Sequence, residues 1–561
     1  MRDDDVARWD TPERHGERWL CRLRAPVRSV KFESTQPCPG QFASLSDGLP
    51  PGSPRPEKLW RCRTQQNLTG ALLPQIRRGL VRAWRLMLDL RMSEAQEMLE
   101  QIELQLDDLS TSAAKRLRAA TQLLRAVGLA LQDDSLAALA IASAHLNENP
   151  GAQDGYAAST LCRLGFWQLG KFDALHALPR HYPRVRRSRS HTISAIIDLS
   201  IEAAVALDHL NITTAKRLAS DALTMAERAK APPGVAALPA CLTAQVLYEE
   251  GCLDGADRLL RDRLPAINAE GSIESALRAY LVLARVARQR MHYDLAAILL
   301  REAETLGQHR QWPRLVAASV AERVSLFLEV GRIKEARVSV NHLGCYAETK
   351  YAGPGRAAAE IAEYRTLSRW RVSWAETPSR EAVAALRQLY HRAIDRHDLY
   401  AGCRLAVELA DMLASIGEPA GADALFFHTI KLGANAGLYQ VFLERRGGSG
   451  TLLRRAYDRA DAASSMDREV LPLVGSLLSR WEARHAESAF VQPPSVIGDT
   501  MTARERDILA RIGDGLSNKG IARALDISPE TVKSHIKNIF LKLAVTTRTE
   551  AVSRGRSLSL C

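Results

Sequence analysis

Gly251-Cys252-Leu253-Asp254-Gly255-Ala256 and Gly331-Arg332-Ile333-Lys334-Glu335-Ala336 share one pattern. A turn-like or variable residue comes first, an apolar or small residue stands two places on, and three places later comes a residue that is usually Ala. The same pattern recurs as Leu90-x-Met92-x-x-Ala95, Asp133-x-Ser135-x-x-Ala138, Gly170-x-Phe172-x-x-Leu175, Leu210-x-Ile212-x-x-Ala215 and Met291-x-Tyr293-x-x-Ala296. Weaker copies stand at Thr377-x-Ser379-x-x-Ala382 and Gly417-x-Pro419-x-x-Ala422. Successive copies lie 43, 37, 40, 41, 40, 40, 46 and 40 residues apart. The turn residue ends one helix, and the small residue early in the next lets the two pack closely. One such hairpin cannot bury its apolar face alone, so neighbours must stack into a superhelix.

The composition agrees. Aromatic residues are only 6% of the 561, and Ala and Leu are abundant, which favours helices over sheets. The fold class expected is all-α: a helical-hairpin superhelix followed by a separate four-helix domain. Residues 1–75 hold nine of the 24 prolines, with Arg, Asp and Gly interleaved without period, and are expected to be disordered. Residues 76–487 are the repeat array, 488–496 a linker around Gln492-Pro493-Pro494-Ser495, and 497–561 the terminal domain.

Several functions are disfavoured. Nine cysteines, an odd number without a CxxC, argue against a disulfide framework or a zinc site and suit a reducing cytosol. No apolar run reaches the ~18–20 residues that a membrane span needs. Gly165-Phe166-Trp167-Gln168-Leu169-Gly170-Lys171-Phe172 has the spacing of a phosphate-binding loop, but Phe172 stands where Ser or Thr must reach magnesium, and no strand precedes it. No catalytic constellation is visible, so an enzyme, a metal and a cofactor are not expected. The net charge of +12 permits a polyanionic partner without requiring one. The basic run from Arg180 to Arg189 reads as a solvated interhelical loop.

The last 65 residues carry the most chemistry. Thr502-Ala503-Arg504-Glu505 is a capping box that opens a helix with Ile508, Leu509 and Ile512 on one face, and Gly513-Asp514-Gly515 ends it. Ser517 caps a short second helix with Ile521, Ala522 and Leu525 facing inward. Asp526-Ile527-Ser528 is the turn, and Ser528 caps a third helix with Pro529 at its first position. There Val532, Ile536, Ile539 and Leu543 form the core stripe, while Thr531, Lys533, Ser534, Lys537 and Asn538 open the opposite, cationic face. A short helix, a tight turn and a longer helix with a basic leading face is the plan of a helix-turn-helix whose second helix enters the major groove. Thr547-Arg548-Thr549-Glu550 is another capping box, opening a fourth helix.

The stretch from Leu516 to Ile539, with Thr502-x-Arg504-Glu505 before it and Arg548-Thr549-Glu550-Ala551-Val552 after it, resembles the LuxR-type (GerE-like) DNA-binding domain. That resemblance implies that Lys533, Ser534 and Lys537 face base edges and that Thr531 and Lys519 lie near phosphates. It implies structural roles for Glu505, Leu509 and Gly515, and pairing of two copies on DNA through the fourth helix. Gly520 departs from the family, which usually places Glu or another polar residue there. The repeats are similar to tetratricopeptide-type repeats in the longer form of MalT-like regulators, although the full tetratricopeptide consensus is missing. In those regulators an ATP-binding module precedes the repeats; this sequence shows no Walker A motif.

The reading is a cytoplasmic regulator that binds promoter DNA as a dimer and senses a small molecule or a protein along its superhelix. The alternative is an interaction scaffold whose helix-turn-helix no longer reads DNA.

Overall fold

The computed structural model describes residues 69–88, 91–107, 112–148, 155–178, 189–348, 356–444, 449–462, 468–489 and 503–529, and then 531–533, 535–536, 539, 548, 551–552 and 555. The segment 1–68, the repeat residue Leu90, residues 180–188 of the basic run, residues 490–496 of the linker and residues 497–502 of the terminal domain lie outside the described residues.

The repeats form antiparallel helix pairs in chain order. They are α1 (Thr69–Leu88) with α2 (Met92–Asp107), α3 (Ser112–Leu131) with α4 (Ser135–Glu148), and α5 (Gly155–Gln168) with α6 (Phe172–Ala177). Next come α7 (Arg189–Asp208) with α8 (Ile212–Arg228), then α9 (Pro233–Glu249) with α10 (Leu253–Arg261) and a short α11 (Leu264–Glu270). After them follow α12 (Ile273–Gln289) with α13 (Tyr293–His309), α14 (Pro313–Glu329) with α15 (Ile333–Glu348), and α16 (Arg356–Glu376) with α17 (Arg380–Asp395). The last pair is α18 (Leu399–Ser415) with α19 (Pro419–Ala436). Helices α20 (Gln440–Leu443), α21 (Ser449–Ala462) and α22 (Leu471–Ala489) cap the array.

The repeat pattern marks the hairpins. Asp133, Gly170, Leu210, Gly251, Met291, Gly331 and Gly417 all adopt left-handed backbone, with φ between +59° and +84°. After each, the next N–H reaches back to a carbonyl five residues earlier, as in Asn211 to Ala206 at 2.7 Å and Arg332 to Phe327 at 2.7 Å. This closure satisfies the carbonyls a helix end leaves open. The small residues Ala95, Ala138, Leu175, Ala215, Ala256, Ala296, Ala336, Ala382 and Ala422 are all at most 2% exposed, sealed between paired helices.

At the weaker copy Thr377 is not left-handed; Ser379, in extended backbone, caps α17, its hydroxyl accepting from the Ala382 N–H at 3.2 Å. Two expectations are corrected. The first helix begins at Thr69, inside the segment expected to be disordered through residue 75, because Ile76 and Leu80 already bury themselves in the first pair. Ser488 and Ala489, expected in the linker, still belong to α22. Gly165 of the phosphate-loop look-alike sits inside α5. A Cβ there would come within 2.8 Å of the Leu139 Cβ, so the glycine serves close helix packing.

The array curls until distant hairpins meet. One apolar cluster joins Trp167, Ile201 and Val246 with Ala382, Phe426 and Leu478. At the crossing points the Trp312 indole donates to the Leu131 carbonyl at 2.8 Å, and the rings of Phe172, His209 and His397 stack edge to face. The Tyr400 hydroxyl donates to Glu249, and the Tyr248 hydroxyl to Glu444 at 2.9 Å. Burial and the neighbouring Glu444 push the Glu249 carboxyl up to about 7.

Candidate nucleic-acid interface

The terminal domain begins with α23 (Ala503–Gly513) and α24 (Asn518–Leu525). Gly515, with φ +80°, turns the chain between them, and the Leu516 N–H returns to the Arg511 carbonyl at 3.1 Å. The Ser517 hydroxyl caps α24 by accepting from the Gly520 N–H at 3.2 Å. Asp526 ends α24 in left-handed backbone (φ +53°), a conformation Asp tolerates better than most residues. Ser528 then accepts from the Thr531 N–H at 3.0 Å and caps the third helix. These three local devices set the angle between the short helix and the one that follows.

One apolar cluster holds the arrangement: Ile508, Leu509 and Ile512 from α23, Ile521, Ala522 and Leu525 from α24, then Val532, Ile539 and Ala551, with Ile536 half-buried at the edge. The Glu505 side chain is buried beside them, at 3% exposure.

With Val532 buried, its neighbours on the third helix point the other way. Thr531 and Lys533 are both exposed, and Lys519 is exposed on α24. The described part of the expected contact set therefore lies on the solvent side of the core. Ser534, Lys537, Asn538, Thr502, Thr547 and Glu550 lie outside the described residues.

Two arginines serve in ways that residue spacing did not reveal. Arg504 donates to the Leu525 carbonyl, tying the start of α23 to the end of α24. Arg548 donates to the Leu516 carbonyl and to the Asn518 side chain at 2.9 Å, anchoring the last segment to the start of α24. Both belong to the motifs noted in the sequence. Their role was hidden because a guanidinium that binds backbone carbonyls has no complementary residue to look for.

This geometry is that of a helix-turn-helix regulatory domain. Residues 499–554 match the family model of the bacterial regulatory proteins of the luxR family, and this segment is a LuxR-type domain preceded by helical repeats. The monoamine regulon transcriptional regulator of Klebsiella aerogenes is 36% identical over 132 residues, 23% of this chain and 54% of that protein. The HTH-type transcriptional regulator MalT of Vibrio campbellii is 24% identical over 340 residues, 56% of this chain and 35% of that protein, so the similarity runs well beyond the terminal domain. A solved Rap protein complexed with competence and sporulation factor superposes with a TM-score of 0.48 at 13% identity, over 65% of this chain and 99% of that one. The chain spans about half, or less, of the length of these two curated relatives.

Proposed function

We propose that this chain is a sequence-specific, DNA-binding transcriptional regulator whose superhelix senses an effector. The observation that carries the reading is the third helix of the LuxR-type domain. Its first turn is fixed by the Ser528 cap, Val532 anchors it in the core, and Thr531 and Lys533 stand exposed on the opposite side. That places a hydroxyl and a cation at the leading end of a helix held rigidly by two others, the arrangement that reads base edges in a major groove. Lys533, Ser534 and Lys537 are assigned to the groove, Lys519 and Thr531 to phosphates, and Asn538 to the same DNA-binding face. The names of the relatives support the same role, since both are transcriptional regulators.

The protein acts as a dimer paired through the fourth helix on DNA, in the cytosol, without catalysis of its own. Among the described residues no helix is long and apolar enough to cross a membrane. The test is to map the binding sites of the full-length protein on the genomic DNA of its source, beside a Lys533→Ala/Lys537→Ala variant. Discrete inverted repeats lost in the variant support the reading. Diffuse, salt-sensitive binding that is equal in both proteins contradicts it and favours an interaction scaffold.

A further inference from the structure

The curled repeats enclose a cavity of about 500 Å³ along the inner side of the superhelix. This volume suits a small molecule. Its wall mixes apolar and charged side chains. Helices α16, α17 and α18 present Trp370, Trp374, Leu386, Leu389, Leu405 and Met412, interleaved with Glu363, Arg371, Glu408 and Asp411. Trp370 and Trp374 are one helical turn apart, both half-buried, so their rings share one face of α16.

The seven arginines of the lining all have carboxylate partners. Arg278 pairs with Glu274, Arg285 and Arg288 with Glu322, Arg371 with Glu408, Arg396 with Glu363, Arg404 with Glu444, and Arg314 with Asp133, Glu274 and Glu360. Burial alone would raise the Glu322 and Glu444 carboxyls, but the surrounding arginines outweigh it and hold both below the usual carboxylate range. The guanidiniums are thus engaged, and an anion would have to displace an internal carboxylate from one of them.

The balance is acidic. Ten carboxylates line the cavity against those seven arginines, so the lining carries a formal charge of −3. A cation entering this space reduces the surplus, whereas an anion adds to it. Gln245 also lines the cavity, at 7% exposure, but its side-chain oxygen is sealed away from it.

We infer that the superhelix interior binds a small organic cation, an amine or guanidine carrying an apolar body. The apolar body lies against Trp370, Trp374 and Met412, and the charged head faces the carboxylates interleaved with them. Indole faces attract cations, so the tryptophans suit the head group as well as the body. The inference rests on the reading of the superhelix as the sensing part and names the chemistry of its effector.

The experiment is titration calorimetry and thermal shift on the full-length protein without DNA, so that a failure of DNA reading leaves the result untouched. The probes are spermidine, agmatine and tryptamine, with tryptophol and indole-3-acetate as the neutral and anionic counterparts of tryptamine. At least one amine is expected to bind and raise the melting temperature. Tryptamine is expected to bind at least about tenfold tighter than either counterpart. Asp411→Asn and Trp374→Ala should each weaken the bound amine several-fold while leaving the apo protein's far-ultraviolet spectrum unchanged. Indole-3-acetate binding as tightly as tryptamine, or no response to any amine at about 1 mM, overturns the inference.

Discussion

Arg314 and Asp133, 181 residues apart in the chain, form a two-point ion pair, Nε to Oδ2 at 3.0 Å and Nη2 to Oδ1 at 2.8 Å. Both side chains are 3% exposed. Burial alone would lower the arginine's pKa, but Asp133, Glu274 and Glu360 together raise it well above its ordinary value. Asp133 is also the left-handed turn residue of its hairpin, with φ +68°. One residue therefore ends a helix and fastens the α3–α4 turn to the start of α14.

Asp133→Asn separates the two tasks, since Asn also tolerates left-handed backbone. Removing one partner of a buried pair typically costs about 3–5 kcal/mol, and the remaining carboxylates on Arg314 point to the lower end, about 3 kcal/mol. The measurement is hydrogen exchange. Amides at 131–134 and 312–316 should lose protection together, while those at the Gly417 turn stay unchanged. Unchanged exchange at both crossing points contradicts the fastening role.

His209 sets a pH dependence. Burial first, then the charges of His397 and His176, push its pKa down from 6.5 to about 4. The unfolded chain binds a proton there before the folded one does, so its contribution is fully present above pH 6.5 and is lost as pH falls towards 4. The slope is at most about 1.4 kcal/mol per pH unit. His209→Phe keeps a ring beside Phe172, whose centroid lies 4.5 Å away, and removes the proton site. The stability difference between wild type and variant should change between pH 6.5 and 4 and be flat above 7. A difference independent of pH contradicts the assignment.

Gly520 is a weak point. It is the third residue of α24, its N–H held by Ser517, where a helical residue with a side chain would do better. A Cβ there would come closest to the Leu516 Cδ2 at 3.3 Å, the far end of a flexible side chain, with the Leu516 Cβ and Ser517 Oγ at an ordinary 3.6 Å. Gly520→Ala should therefore stabilise the terminal domain by about 0.5–1 kcal/mol, read as reduced exchange of α24 amides. Gly520→Glu should add to that by completing a capping box. Faster exchange in both variants contradicts it.

Lys519 and Lys533 should fail differently on DNA. Lys519→Ala should weaken binding to every sequence alike and reduce the salt slope by about one. Lys533→Ala should cost about 1–3 kcal/mol on the preferred site and much less on unrelated DNA. Equal losses on both DNAs for both variants would contradict the division of labour.

Much of this fold was legible because its turns are local. A left-handed residue, a helix start and a small residue lie within six positions, so Gly251, Leu253 and Ala256 announce a hairpin by themselves. The turns between hairpins did not. Lys230 and Gln311 are left-handed too, at φ +48° and +55°, yet neither is a residue type that signals it, and His397, at +60°, gives only a weak signal. The curl of the array was equally hidden, because Arg314 and Asp133 have no short-range signature. The cavity follows from that curl and was invisible for the same reason. In the terminal domain the caps Ser517 and Ser528 and the core stripe through Val532 were readable from spacing. The clamps of Arg504 and Arg548 onto backbone carbonyls were not.

The central claim is that the third helix reads sequence. Its most direct test is the ratio of affinities for the selected genomic site and for an unrelated fragment, measured at one fixed salt concentration for wild type and Lys533→Ala. The account predicts a large ratio for the wild type that falls about tenfold or more in the variant, with little change on the unrelated fragment. A ratio that is the same in both proteins would contradict it.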